Sequence, residues 1–578
     1  MPLPPERADL EEDDVGTEPT PVRKGCFGQC QAVFPPDKLV GLVLGVALYA
    51  VFLCLEVAEE FPKANDMLAI VGLVGTFWVF EVLPLPVTSL LPVVLMPFQE
   101  ILSSKEASSA YWGWVQMLFI GAFVVDTAIE HVNLHRRASL GFLLKVGVKF
   151  PWVVVLAFAT ISYFMSMWCT NTATTVMLTP FATGLLDTVT SSDLQAADSP
   201  RKRAMLRRYS VGILLMIAYG ATCGGIATII GTIPNGILAG LPEVNGRVSA
   251  QDWLAFAFPV SLLGVALALA VVYAVFVRGV SLEMDPAMLQ SEYRALGPID
   301  RDEVVVGAVQ ILQIVGWLSR RDLINSPTAL GIEGVNDATI ACGAAVILFF
   351  VPSVKHPGET ILTWDVAQLH LPWGVLLLMG GGFAIARGFQ ASELTRLVGE
   401  SLAAGAGMNR FALVYAITGI VCFLTEVTSN TATANIMLPI LASVATETLT
   451  HPLALMLPAA VACSFAFMLP AATPPNAVVF ATKRITIRDF VKAGLAINLL
   501  MILLGAPVIF AMGSAVYDAN GPFPRWACLP ATCRWVSVPG TVARREVASQ
   551  ACAILVDGTC RLRNGTVLSH AALLSHIG

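Results

Sequence analysis

Charge is what this sequence has least of. Of its 578 residues only 13% are Asp, Glu, Lys or Arg, against about 25% in an ordinary soluble domain. With 56% hydrophobic residues and a mean hydropathy of +0.72, the deficit excludes a chain folded in water around one core. Neither sign dominates the charge that remains. A formal net charge of −6 leaves no footprint for a nucleic-acid partner. Histidine is scarce too, with 7 in the chain, and these show no metal-ligand spacing with the 12 cysteines. No carboxylate pair stands out either, so metal-centred or acid–base catalysis has no support and no organic cofactor is implied. The first 38 residues lack the basic-then-apolar order of a secretory signal. They are polar and proline-rich, with the acidic run Glu11-Glu12-Asp13-Asp14, and read as a disordered cytoplasmic tail in which Cys26 and Cys30 are candidates for lipidation.

What the sequence has instead is one polar motif that occurs twice within apolar surroundings. Thr170-Asn171-Thr172-Ala173-Thr174 and Ser429-Asn430-Thr431-Ala432-Thr433 share Asn-Thr-Ala-Thr, and a proline, Pro180 or Pro439, follows each Asn nine residues on. The same offset of 259 residues takes Trp114 to Trp373 and Gly121 to Gly380, so the chain contains an internal repeat. A polar cluster at membrane depth is costly unless protein or water satisfies it. One such cluster per half points to a transporter whose site lies between two repeats.

Several apolar runs approach or exceed the roughly 20 residues needed to span a bilayer. Segment 67–98 is interrupted by Pro84 and Pro86, and prolines so placed break a helix, giving two short crossings. This puts His135, Arg136, Arg137, Lys145 and Lys149 on the same side as the N-terminus, the cytoplasmic side by the positive-inside rule. Segments 149–188 and 409–447 are too long for one span. They read as re-entrant hairpins with Asn171 and Asn430 at their tips, the first opening from the cytoplasm and the second from outside. The count is eleven transmembrane helices plus two hairpins: an all-α polytopic membrane protein with inverted repeats.

The division along the chain follows. A cytoplasmic tail (1–38) precedes scaffold helices (39–148) and a transport part with the first hairpin (149–277). After a cytoplasmic linker (278–302) come further scaffold helices (303–408), a second transport part (409–517) and an external C-terminal tail (518–578). That tail carries a glycosylation pattern at Asn564-Gly565-Thr566, which matters only on a lumenal side. It also holds Cys528, Cys533, Cys552 and Cys560, an even number suited to disulfides in an oxidising compartment, with all three pairings open. Plasma membrane is the expected location, with endomembranes sharing the same lumenal topology.

Each hairpin is followed by a second interrupted segment, Gly224–Asn235 with Gly231, Thr232 and Pro234, and Leu469–Asn476 with Thr473, Pro474 and Pro475. Broken helices free backbone groups to bind ions. Neutral oxygens suit a hard monovalent cation such as Na⁺, and hydroxyls, amides and helix N-termini suit an anion. No Lys or Arg lies in either tip motif, so bound Na⁺ is what would offset an arriving anion's charge. Glu81, Asp126, Glu130, Arg387 and Glu426 are ionisable residues in apolar segments, functional candidates by default. Glu426 ranks first, as a residue that stabilises the hairpin by hydrogen bonding; proton coupling is its sharper alternative.

The sequence resembles the divalent anion/sodium symporter family of sodium-coupled dicarboxylate, citrate and sulfate cotransporters. The resemblance rests on Glu81-Val82-Leu83-Pro84-Leu85-Pro86, Asn133-Leu134-His135-Arg136-Arg137, both Asn-Thr tips, Ser464–Pro470 and Thr473-Pro474-Pro475-Asn476, and extends over residues 39–526. It implies a homodimer with an elevator-type transport domain. One sodium site would use Ser166, Thr170, Asn171 and the Gly231 carbonyl; the second would use Thr425, Thr428, Asn430 and the Ala472 carbonyl. Substrate carboxylates would meet Asn171, Thr172, Thr232, Asn430, Thr431 and Thr473. The family's tip is usually Ser-Asn-Thr, and Thr170 departs from it, which implies an altered sodium affinity. Ile230 stands where relatives often carry a small polar residue and would narrow one wall. The second tip and Ala472-Thr473 lean toward di- or tricarboxylates such as succinate, malate or citrate. A sulfate cotransporter, a proton-coupled or uncoupled exchanger and an anion exporter of the wider superfamily are the alternatives on the same fold.

Overall fold

An apolar chain with so few charges has to satisfy its backbone within each segment, and helices are the way to do so in lipid. The computed structural model describes residues 35–527, apart from short internal stretches, and four short strands between 545 and 568. Helices α1 (Pro36–Cys54) and α2 (Pro62–Val79) pair as a hairpin. The chain then breaks at the expected prolines: Glu81 is exposed and left-handed (φ 45°), and a single turn at Leu85–Thr88 leads into α3 (Leu91–Phe98). Glu81 is therefore a turn residue, not an acid inside a span.

Hydrogen bonds fix the direction of each crossing. The Lys63 ammonium at the start of α2 donates to Glu100 O just past α3 (2.6 Å), and the Gln99 amide donates to Tyr49 OH near the end of α1 (2.9 Å). The three helices thus alternate in direction, as two crossings in 67–98 require. Helix α4 (Trp114–His131) returns to the side on which α1 starts, and α5 (Leu134–Val146) carries Arg136 and Arg137 there.

Helices α6 (Pro151–Ser166) and α7 (Asn171–Leu194) form the first hairpin. Next come α8 (Pro200–Ile226) with its continuation α9 (Ile233–Gly240), then α10 (Ala250–Val272), α11 (Ala287–Ala295), α12 (Arg301–Ser319), α13 (Asp337–Leu348), α14 (Trp364–His370) and α15 (Trp373–Ala391). The second hairpin is α16 (Arg410–Val427) and α17 (Asn430–Glu447). Another broken pair follows, α18 (Pro452–Ala462) and α19 (Pro474–Ala481), and α20 (Ile487–Leu500) and α21 (Ala506–Tyr517) finish the bundle. Among the described residues seven helical segments are long and apolar enough to cross a membrane; the remaining crossings are made of shorter apolar helices and the broken pairs. Arg484, just before α20, pairs with Asp187 of α7 (2.5 Å), whereas Arg410 at the start of α16 donates to Asn520 O and Gly521 O beyond α21. The two hairpins therefore open on opposite sides.

Helix α8 is the hub, its apolar span wholly buried, and its Tyr219 hydroxyl donates to Phe467 O (2.9 Å), joining the two halves. Helix α5 is fixed by Arg137, 6% exposed, which forms a two-point pair with Glu303 of α12 (2.6 and 3.0 Å) and donates to Gly297 O (2.9 Å) and Leu296 O (3.1 Å). The expected linker 278–302 contains the helix α11. The tail contains an antiparallel sheet, β1 (Arg545–Val547), β2 (Gln550–Ile554), β3 (Cys560–Leu562) and β4 (Val567–Leu568), in that order. Cys552 and Cys560 fall on neighbouring strands β2 and β3; Cys528, Cys533 and Asn564 lie outside the described residues.

Candidate functional site

Both tips are built by the same local chemistry. A hydroxyl caps the returning helix: Ala173 N donates to Thr170 Oγ1 (3.2 Å), and Ala432 N donates to Ser429 Oγ (3.1 Å). These are N-cap bonds at the starts of α7 and α17. A second hydroxyl, on the outgoing helix, meets the tip asparagine five residues later. Ser166 Oγ lies 2.5 Å from the Asn171 amide, and Thr425 Oγ1 lies 2.9 Å from Asn430 Oδ1 and 2.7 Å from Cys463 O. With its NH₂ turned to this corner, the Asn171 amide donates to Ala221 O (3.0 Å), Gly231 O (3.2 Å) and Ser166 Oγ (2.5 Å), so the corner is lined by two carbonyls and a hydroxyl. Such a corner takes an N–H donor or a cation. Gly225 makes room for it, because a Cβ there would land on the Asn171 amide.

The broken helices are braced alike. The Asn235 amide donates to Gly225 O (3.1 Å) and Thr228 O (2.7 Å), ten and seven residues back. The Asn476 amide donates to Ala466 O (3.0 Å) and Leu469 O (3.0 Å), again ten and seven residues back. These braces come from Thr232-Ile233-Pro234-Asn235 and Thr473-Pro474-Pro475-Asn476, a Thr-x-Pro-Asn repeat readable in the sequence, although the role of its Asn was not. The second break has one brace more. Glu426, 5% exposed, accepts from Phe467 N (2.7 Å), Met468 N (2.9 Å), Leu469 N (3.1 Å) and the Asn498 amide (2.7 Å). Its hydrogen bonds hold the unwound stretch after the hairpin, and it does not line the cavity.

Tips and breaks converge on a cavity of about 610 Å³. Asn171, Thr172, Thr232, Asn430, Thr431 and Thr473 all line it, as do Thr170, Gly231, Ala472, Ser429 and Ile230. Ser166 and Thr425 lie buried beneath the tips. Thr428 follows them in the chain: its hydroxyl donates back to Leu424 O (3.0 Å) and meets Thr433 Oγ1 (2.5 Å), a common Thr back-bond at a helix end. The counterpart of Thr170 is Ser429. Four helices, α7, α9, α17 and α19, start among these lining residues, so their positive ends surround the space. The ionisable side chains lining it are Asp126, Glu130 and His370. Arg387 points elsewhere, donating to Ser109 Oγ (2.5 Å) and Glu106 O (3.1 Å).

The profile of the sodium:sulfate symporter transmembrane region matches residues 36–517. The chain belongs to this family, the divalent anion/sodium symporters. It is accordingly an integral membrane transporter. Among curated relatives of this chain, a sodium-dependent dicarboxylate transporter, SdcS, of Staphylococcus saprophyticus is 35% identical over 500 residues, covering 84% of this chain and 94% of its own. The protein of the same name from Staphylococcus aureus (strain NCTC 8325 / PS 47) is 35% identical over 502 residues, covering 85% of this chain and 94% of its own. Among solved structures, the Alcanivorax borkumensis YdaH transporter aligns with a TM-score of 0.48 at 14% identity, over 84% of this chain and 100% of that one.

Proposed function

We propose that this symporter couples sodium to the movement of a di- or tricarboxylate of the succinate, malate or citrate type. The observation that carries the reading is the convergence of four helix N-termini and two Asn-Thr tips on one cavity that no Lys or Arg among the described residues lines. Helix ends and neutral donors hold carboxylate oxygens, and cations bound under the tips supply the missing positive charge. The names of the relatives, dicarboxylate transporters, favour carboxylate over sulfate.

In this reading the first sodium sits in the acceptor-lined corner formed by Ser166, Thr170, Asn171 and the Gly231 carbonyl. The second uses Thr425, Asn430, the Ala472 carbonyl and, in place of the engaged Thr428 hydroxyl, Ser429 or the Thr428 carbonyl. Asn171, Thr172, Thr232, Asn430, Thr431 and Thr473 meet the anion. The parts 149–277 and 409–517 move as an elevator against scaffold helices 39–148 and 303–408, in a homodimer of the plasma membrane with its N-terminus in the cytoplasm.

The test is uptake of labelled succinate and citrate with sodium replaced by choline. Uptake lost without sodium, and lost again in Asn171→Ala and Asn430→Ala, is the expected result. Uptake indifferent to sodium would reject the coupling, and sulfate carried in place of either acid would reject the substrate class.

A further inference from the structure

One lining group is out of place in a cavity built for anions. Asp126 sits in the C-terminal half of α4, 8% exposed, on the wall facing the first hairpin. Its Oδ2 accepts from Thr170 N at 3.4 Å, its Oδ1 is buried without a geometric hydrogen-bond partner among the described residues, and the Cys169 thiol and the Glu130 carboxyl stand beside it. Thr170 is the residue immediately before α7, so the carboxylate lies at the positive end of that helix. A transported carboxylate would seek the same end. The repeat makes the feature one-sided, since the 259-residue offset that relates the tips pairs Asp126 with the apolar Ile385, which does not line the cavity.

We propose that Asp126 is a tethered carboxylate that competes with the transported anion for the start of α7. In the empty carrier it holds that helix end; the arriving carboxylate has to displace it, and cation binding under the tip helps by drawing the substrate in. Asp126 is then a specificity-determining residue, one that raises the concentration of anion needed on the side to which this cavity opens. The inference rests on the carrier reading above.

The test compares wild type with Asp126→Asn and Asp126→Ser, a smaller polar side chain kept as the second variant should the first express poorly. Sodium-dependent succinate uptake gives KM, maximal rate and sodium half-saturation, and the thermal shift produced by succinate in the purified full-length protein gives binding apart from transport. Removing the competitor should lower the succinate KM by about two- to fivefold, the range that one helix-end charge interaction spans, with sodium half-saturation unchanged or lower. A side chain that only supports the fold would reduce the maximal rate and leave KM where it was, and that result would overturn the proposal. So would a rise in sodium half-saturation, which would mean that the carboxylate holds a cation. If wild type shows no sodium-dependent uptake, the carrier reading fails separately, and the competition is still decided by whether succinate binds the variants more tightly than the wild type.

Discussion

Replacing Glu426 by Gln tests the architecture most directly. The carboxylate is 5% exposed and accepts four hydrogen bonds, three from consecutive amides of the unwound stretch and one from Asn498. Bonds to a charged acceptor contribute about 1.5–3 kcal/mol each, though in one network they do not add independently. Glutamine keeps one acceptor oxygen. It places an NH₂ where Oε2 now receives Leu469 N, so one bond is lost and two donors face each other. We expect a loss of about 2–3 kcal/mol for Gln. For Glu426→Ala, which strands three backbone amides together and opens a void, we expect about 4 kcal/mol or more.

The consequence for function follows from what the stretch carries. Ala472 and Thr473, at its end, line the cavity, so a loosened stretch misplaces the second tip's partners while the first tip stays intact. Thermal unfolding of the purified protein and succinate uptake across a sodium series are the assays. We expect a lowered midpoint with both KM and sodium half-saturation raised in Glu426→Gln, and asparagine at 498 tolerated only while the acid is present. A Gln variant with the wild-type midpoint and wild-type sodium dependence would refute the bracing role. A variant of normal stability whose uptake alone loses its response to external pH would point to proton coupling instead.

Two further outcomes follow from packing. Gly225→Ala drives a methyl group into the Asn171 amide, so sodium-dependent uptake should fall by at least about tenfold while the protein still purifies as a folded species; normal sodium half-saturation would contradict the geometry. Arg137→Lys removes the two-point pair with Glu303, which is 2% exposed, and the bonds to the Leu296 and Gly297 carbonyls. Lysine keeps the charge but not the planar fork, so the change should cost about 1–3 kcal/mol, read as a lower unfolding midpoint, whereas the half-exposed pair Arg207–Asp489 (3.1 Å) can be broken with little effect.

The sequence made the site legible because polar residues inside apolar sequence stand out, and because the repeat showed them twice. Both tips, both breaks and the double crossing at Pro84 and Pro86 were readable in this way. What stayed hidden depends on geometry that only folding creates. Asn235 and Asn476 bond carbonyls seven and ten residues back, a reach that exists once the helix has unwound between them. That the Thr428 hydroxyl bonds back to Leu424 O was hidden as well, because only the folded helix end lets a threonine turn onto its own helix. Glu81 looked intramembrane by its neighbours yet lies in a turn, whereas Arg387 does sit inside the apolar helix α15 and donates to the short helix Ser104–Ser109. Helix α11 reads as polar linker in sequence, and a single buried residue, Leu289, marks its packed face.

The two halves share a plan but not its reinforcement, and the difference follows the length of each break. In the first half the chain unwinds between Ile226 and Ile233, and hydroxyl and amide side chains suffice: Thr228 donates to Met167 O (2.5 Å), receives from Gly231 N (3.0 Å), and Asn235 spans the gap. In the second half the break runs from Ala462 to Pro474, leaving more consecutive amides without helical partners, and a charged acceptor is placed where three of them converge. Met167 is the residue that the 259-residue offset pairs with Glu426, so the acid has no counterpart in the first repeat. Asp126 breaks the symmetry in the opposite sense, an acid on the first-repeat wall facing a tip whose own break needs none. A carrier whose two tips hold one substrate need not hold it equally. One tip here sits on a stretch tied down by a buried charge, while the other faces a carboxylate that contests its helix end.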